Sequence, residues 1–232
     1  MPIGPSIAEI AALADDPARA NMLAALMDGR ALTASELAYT AGVTPQTASG
    51  HLAKLSQGGL LALAKQGRHR YYRLASPLVG RMLESIMAVV AIEAPPRHRP
   101  RSPREDALCF ARTCYDHLAG RLGVAITEAL VEGRHLVLGE DGGEVTEEGA
   151  ALLRERVGID IAAVAQGRRR AFCRPCLDWS ERRPHIAGAL GAALAERCFA
   201  LGWIVRLRDT RAVAITTAGR PALRAAFGVD LR

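Results

Sequence analysis

From Leu37 to Leu83 the chain contains no aspartate or glutamate. A surface drawn from that stretch carries no carboxylate to repel a polyanion, and the only two lysines of the protein, Lys54 and Lys65, both fall inside it. Other absences narrow the function further. No apolar run approaches the roughly eighteen residues that a bilayer span requires, and the N-terminus lacks a basic segment followed by a continuous apolar core, so the expectation is a cytoplasmic protein without a membrane partner. There is no glycine-rich phosphate loop, no nucleophile elbow and no HExxH-type metal motif. Cysteine and histidine pairs are therefore the candidates for chemistry in a chain read as no enzyme.

What is present begins with helix punctuation. Thr33-Ala-Ser-Glu36 has the spacing of a capping box, in which a hydroxyl and a carboxylate three residues apart satisfy the open N–H groups of a helix start. A short helix over Ser35–Thr40, a tight turn at Ala41-Gly42-Val43 and a second helix opening at Thr44-Pro45 follow, with the proline at a position where its missing N–H costs nothing. Along that second helix Ala48, Leu52 and Leu55 recur at core spacing, while Thr44, Gln46, Thr47, Ser49, Gly50, His51 and Lys54 form a polar, small face. Glutamine pairs bidentately with adenine, hydroxyls reach bases or phosphates, and the helix N-terminus suits an anion. Gly58-Gly59 closes the helix. Leu60–Lys65 and Arg70–Leu74 then read as strands around Gln66-Gly67-Arg68-His69, a hairpin carrying Lys65, Arg68, His69, Arg70 and Arg73 for phosphate contact.

The string Thr44-Pro45-Gln46-Thr47-Ala48-Ser49-Gly50-His51-Leu52, with Leu55, Gly59-Leu60, Gly67-Arg68 and Tyr72-Arg73-Leu74, resembles the ArsR/SmtB family of bacterial winged-helix repressors over about the first ninety residues. The resemblance implies a homodimer that occupies a double-stranded DNA operator and leaves when an inducer binds or a thiol reacts. It also implies where metals would sit, and those positions are empty of ligands here. Leu32–Ala38 holds no cysteine, and Pro77–Val90 offers neither aspartate nor histidine. Any signal must enter elsewhere.

With 232 residues, half of them apolar, the chain is long enough for two domains, and a net charge of +6 favours a polyanionic partner. The expected fold class is mainly α with small β-hairpins. Residues 1–93 form a winged helix-turn-helix and dimerisation domain, with helices over Ile7–Leu13, Pro17–Met27 and Pro77–Ile92. The 94–106 segment, with four prolines and four arginines between Ala94 and Arg104, reads as a linker. Residues 107–232 form a second α+β domain.

That second domain repeats itself. Phe110-Ala-Arg-Thr-Cys-Tyr-Asp116 matches Phe172-Cys-Arg-Pro-Cys-Leu-Asp178, His117–Gly123 matches His185–Gly191, and Val145–Gly149 with Leu153, Gly158 and Asp160 matches Ile215–Gly219 with Leu223, Gly228 and Asp230. Three blocks in one order define repeats over about 108–165 and 170–232, each read as a cysteine-bearing loop, a helix, two short strands and a closing helix. Two such units would pack about a pseudo-twofold axis, with a seam between them.

All five cysteines lie in this domain, and in a reducing compartment they read as thiols, ligands or switches rather than disulfides. Three uses stay open. Cys109, Cys114, Cys173 and Cys176 could hold zinc or a softer metal ion, or Cys114 and Cys176 could react as thiols, with His117 and His185 nearby. Arg112, Arg174, Tyr115 and Trp179 could instead hold an organic or anionic effector in the seam. Or the thiols pack as small hydrophobes, the expectation for Cys198, and the arginines pair with Asp116 and Asp178. The function expected is a homodimeric repressor released by an effector acting on the C-terminal domain; the alternative is an enzymatic C-terminal domain tethered to a winged-helix interaction module.

Overall fold

A computed structural model of the chain describes residues 6–66, 69–93, 102–166, 171–208 and 210–231. The chain divides into two compact units, Met1–Glu84 and Ser85–Arg232.

In the first unit α1 (Ile7–Ala14) and α2 (Pro17–Ala25) both begin as their sequences dictate. Ser6 and Glu9 form a capping box on α1, and Asp16 accepts from the Arg19 N–H at the start of α2, with Pro17 at its first position. The buried Arg19 side chain donates to the Leu13 and Ala12 carbonyls, closing the C-terminal end of α1. The second helix is shorter than its apolar pattern suggests, because a 3₁₀ turn over Leu26–Asp28 and Gly29 redirect the chain into β1 (Leu32–Thr33), a strand the sequence reading did not anticipate.

α3 (Ala34–Ala41) starts on the Thr33/Glu36 box, and α4 (Pro45–Gln57) on the Thr44 hydroxyl, which accepts from the Thr47 N–H. β2 (Leu61–Gln66) and β3 (His69–Leu74) pair antiparallel from Leu61 opposite Leu74 to Gln66 opposite His69, and β1 joins on the far side of β3. Met22, Leu23, Leu26, Leu37, Leu52 and Leu55 are essentially inaccessible to water and form the centre that orients α4. α5 (Pro77–Glu93) follows the hairpin.

The expected linker needs correcting at its end. Residues 94–101 lie outside the described residues, but α6 (Pro103–Phe110) already begins at 103. Pro103 occupies the first helical position, where proline is tolerated, and Ser102 with Glu105 makes a third capping box.

The second unit then runs twice through one motif. Its first pass is β4 (Arg112–Cys114), β5 (His117–Ala119), α7 (Gly120–Glu132), β6 (Leu136–Leu138), β7 (Gly143–Val145), α8 (Glu147–Leu152) extended by a π-turn over Leu153–Val157, and a short α9 (Ile161–Ala165). Its second is β8 (Arg174–Leu177), β9 (Pro184–Ala187), α10 (Gly188–Ala200), β10 (Ile204–Arg206), β11 (Val213–Ile215) and α11 (Gly219–Phe227). The cysteine segments expected as loops are hairpin strands.

Equivalence extends to individual atoms. The Thr146 hydroxyl accepts from the Gly149 N–H and donates to the Arg134 carbonyl, just as Thr216 accepts from Gly219 and donates to Gly202. A Cβ on Gly149 would stand 2.0 Å from the His135 carbonyl oxygen, and one on Gly219 would stand 1.9 Å from that of Trp203, so both closing helices start where only glycine fits. The repeats exchange partners: α7 packs on β9, and α10 packs on β5. Leu122, Ile126, Leu130, Leu190, Leu194 and Cys198 meet in the shared core.

Candidate nucleic-acid interface and thiol-imidazole cluster

Burial of Ala48, Leu52 and Leu55 turns the opposite face of α4 outward. Thr44, Gln46, Thr47, Ser49, Gly50 and Lys54 are exposed on it. The hydroxyls are held in place locally: Thr44 Oγ1 lies 2.9 Å from Thr47 Oγ1, and Ser49 Oγ donates to the Pro45 carbonyl at 2.9 Å. Ser49 Oγ, which donates here, keeps its lone pairs for an outside donor.

His51 behaves differently from its expected place on this face. Its side chain is only 16% exposed, and Nδ1 sits 3.7 Å from Asp16 Oδ1 on the α2 cap. The ring thus lies beside the α2 cap and is less open to solvent than the rest of the face. On the hairpin, Arg70 and Arg73 are exposed. Gly67 and Arg68 lie outside the described residues, as do the side chains of Lys65 and His69. Sequence reading passed over Tyr39, 90% exposed on α3 with a hydroxyl suited to phosphate; an isolated aromatic in a short helix carries no periodic signal.

In the second unit the hairpin registers place Cys114 opposite His117 and Cys176 opposite His185. One ligand atom from each of these four residues lies within 4.8 Å of every other, so the group could hold a metal ion. The imidazoles approach to 5.1 Å between ring centroids. His117 is 2% exposed and His185 1%. Asp116 Oδ1 lies 3.2 Å from His117 Nδ1, and Asp178 Oδ2 lies 3.6 Å from His185 Nδ1. His117 Nε2 and both ring nitrogens of His185 are buried without a hydrogen-bond partner. The neighbouring Cys114 thiol, against the upward push of burial and with help from both imidazoles, holds Cys176 down to about 2. Burial pulls His117 downward, yet Asp116 and Cys176 bring the net shift upward.

The expected ligand set is thereby corrected. Cys109 and Cys173 are buried in the core and do not belong to the cluster; burial pushes Cys173 up to about 11, and Cys198 up to about 12. His117 and His185 take their places. They occupy matched positions in the two repeats, but only hairpin pairing sets each one against a cysteine.

The seam offers no opening to the arginine expected to bind an effector there. Arg112 is 1% exposed, donates to Asp178 Oδ2 at 2.9 Å and to the Leu108 carbonyl at 3.1 Å, and lies 4.5 Å above the Trp179 ring. Asp178 also accepts from the N–H groups of Gly120, Ser180 and Glu181 and from the Ser180 hydroxyl. Burial opposes its ionisation, but the Arg112 guanidinium and these donors hold its carboxyl at about 2. Arg174, the counterpart of Arg112, is exposed, as is Tyr115. A cleft of about 490 Å³ opens elsewhere in this unit, between Phe110, Arg121, Leu207 and Arg220, and includes none of Arg112, Tyr115, Arg174 or Trp179.

Residues 13–64 match a family model described as a helix-turn-helix domain. The chain is 46% identical over 229 residues, 99% of its length and 100% of the relative's, to YdfF of Bacillus subtilis (strain 168), an uncharacterised HTH-type transcriptional regulator. Among solved structures it is similar to the homodimeric winged helix-turn-helix DNA-binding domain of Mb0332 from Mycobacterium bovis, described as a possible ArsR-family regulator, at 27% identity, 41% of this chain, 87% of that one and a TM-score of 0.34. It is also similar to the cadmium sensor CmtR of Mycobacterium tuberculosis, at 30% identity, 41% of this chain, 97% of that one and a TM-score of 0.32.

Proposed function

Because the chain belongs to the family of HTH-type transcriptional regulators that includes YdfF, with an ArsR-type winged-helix domain at its N-terminus, we propose that it is a homodimeric repressor whose operator affinity is set by an effector acting on the C-terminal unit. The observation that carries the DNA-binding part is the outward face of α4, where Gln46, Thr47, Ser49 and Gly50 stand exposed in a stretch free of carboxylates. A helix of this kind enters a major groove with its N-terminal residues on base edges, and Gln46 is the side chain able to pair bidentately with adenine. Lys54, Arg70 and Arg73 take phosphates, as would Lys65, Arg68 and His69, supplying affinity that depends on salt rather than sequence.

Dimerisation is favoured by what α5 leaves uncovered. Leu78, Ile86 and Val89 are 64%, 46% and 63% exposed, an apolar face that a second copy would bury, as twofold assemblies do. For the effector, the cluster of Cys114, His117, Cys176 and His185 favours thiol or soft-metal chemistry over an organic molecule in the seam, where Arg112 is already committed to Asp178. The regulatory reading requires no catalytic step.

The test is a gel shift on the DNA upstream of the protein's own gene across a salt series. A sequence-selective shift that weakens with salt is the expected result, and Gln46→Ala should lose discrimination between sites while retaining general affinity. A protein that ignores those fragments at low salt is not an operator-binding repressor.

A further inference from the structure

We propose that Cys114, His117, Cys176 and His185 form an intrachain site for one zinc-class divalent cation, with two sulfur and two nitrogen ligands, that fastens the two repeats of the C-terminal unit to each other. The inference rests on the thiol-or-metal reading of this cluster and is independent of whether the first unit binds DNA.

Geometry is the first argument. Tetrahedral zinc with Zn–S near 2.3 Å and Zn–N near 2.0–2.1 Å has ligand-to-ligand edges of about 3.3–3.8 Å. The four ligand atoms already lie within 4.8 Å of one another, so modest side-chain rotation closes the set. Each hairpin supplies one cysteine and one histidine from directly opposed positions, so duplication has placed two half-sites face to face.

Orientation is the second. In metal sites a ligating imidazole characteristically turns its other nitrogen to a carboxylate, which fixes the tautomer. Asp116 lies within hydrogen-bond distance of Nδ1 of His117, while Asp178, its counterpart in the repeat, stands 3.6 Å from Nδ1 of His185, near that nitrogen but not hydrogen-bonded to it. Both Nε2 atoms are left buried with no partner, a costly state that coordination would relieve.

Charge and chemistry agree. Two thiolates and two neutral imidazoles around a divalent ion make a neutral centre, which suits burial better than any unpaired charge. Mixed sulfur and nitrogen donors in tetrahedral array select zinc over magnesium or calcium, and a complete set of four protein ligands marks a closed site rather than one holding an open position for substrate. Binding displaces any proton that the ligand atoms still carry and consumes no oxidant or reductant.

The experiment uses the full-length, reduced, metal-stripped protein titrated with cobalt(II). The expected result is one equivalent per chain, with the strong visible absorption of tetrahedral cobalt and a thiolate-to-cobalt charge-transfer band, both removed by one equivalent of zinc(II). Cys114→Ser and Cys176→Ser should each lose the tetrahedral spectrum, whereas Cys109→Ser and Cys173→Ser should keep it. Asp116→Asn, a positioning change, should weaken cobalt binding roughly 10–100-fold with the shape of the spectrum retained. Because a ligand variant can misfold, the unaltered protein gives a second reading: zinc should shield two of its five thiols from alkylation. A weak octahedral spectrum, no saturable binding, equal alkylation with and without zinc, or loss of the spectrum in the Cys109 and Cys173 variants alone would each overturn the site. A site that loads normally while operator affinity stays the same would overturn the effector reading and leave the metal centre standing.

Discussion

Arg112 and Asp178 form an ion pair 2.9 Å long that crosses from one repeat to the other, with both side chains shut off from water. Among the described residues the pseudo-symmetric positions differ: Arg174 is exposed, and Asp116 lies 3.2 Å from the His117 ring. Duplication therefore supplied two equivalent Arg/Asp sets, and the buried one is the set in which the Arg112 guanidinium stacks on the Trp179 ring. Removing one member of a buried pair strands the other charge, which costs about 3–5 kcal/mol. Asp178→Ala should lower unfolding stability by that order in urea denaturation, with Trp179 fluorescence as a local reporter. Arg174→Ala should fall within about 0.5 kcal/mol of the parent, as exposed substitutions do. Equal losses at both positions would contradict the asymmetry.

The repeats also lean on a pair of glycines. A Cβ on Gly191 would stand 2.3 Å from the Ile186 carbonyl oxygen and 3.0 Å from the His117 Cβ of the other repeat. Gly123, its counterpart, similarly abuts the Leu118 carbonyl and approaches His185. Backbone cannot give way as a flexible side chain does, so Gly191→Ala should cost about 1–3 kcal/mol and widen the spacing of the two histidines. Thermal denaturation measures the first effect. Retention of the parent melting temperature would show that the α10 start adjusts freely.

Much of this was legible in the sequence where local rules govern. Capping boxes at Thr33/Glu36, the Asp16-Pro17 and Thr44-Pro45 starts, and the 3.6-residue period of Ala48, Leu52 and Leu55 each act within a few residues, so α2, α3 and α4 begin where they should. The duplication was legible because related blocks recur in one order. The cluster was only half legible. Cys114, Cys176 and the nearby His117 and His185 are matched by the repeat, but that each histidine faces a cysteine, in place of Cys109 and Cys173, depends on a strand register that such short segments do not declare. The burial of Arg112 and the turning of His51 toward Asp16 depend on long-range packing, for which a composition of exposed-looking residues gives no sign.

The hairpin should contribute charge rather than sequence information. Arg70 and Arg73 are exposed on β3, and each phosphate that is no longer neutralised should reduce the slope of log affinity against log salt by roughly 0.9. Arg70→Ala combined with Arg73→Ala should weaken binding to operator and unrelated DNA alike and flatten that slope by up to about 1.8. Anisotropy titrations at several salt concentrations would measure it. An unchanged slope would remove the hairpin from the interface.

The uncovered face of α5 yields a test of assembly. Leu78 and Val89 are more exposed than Ile86, and a glutamate at either position places a charge inside any interface formed there. Leu78→Glu with Val89→Glu should shift the protein from dimer to monomer in light scattering while leaving the helical circular dichroism of each chain in place. Dimers that persist in the double variant would mean that a different surface joins the copies.

Gly50 separates a recognition helix from an ordinary surface helix. It lies mid-way along α4, exposed, and a Cβ there would meet nothing within 4 Å. Glycine inside a helix costs roughly 0.5–1 kcal/mol relative to alanine, so Gly50→Ala should stabilise the isolated protein by about that amount. If this face enters a groove, the added methyl group takes space that a base edge or sugar would occupy, and operator affinity should fall. The two effects have opposite signs and come from one substitution, so weaker binding could not be blamed on a weakened fold. A variant that gains stability and binds operator as well as the parent would place the DNA contact on some face of the first unit other than the one centred on Gly50.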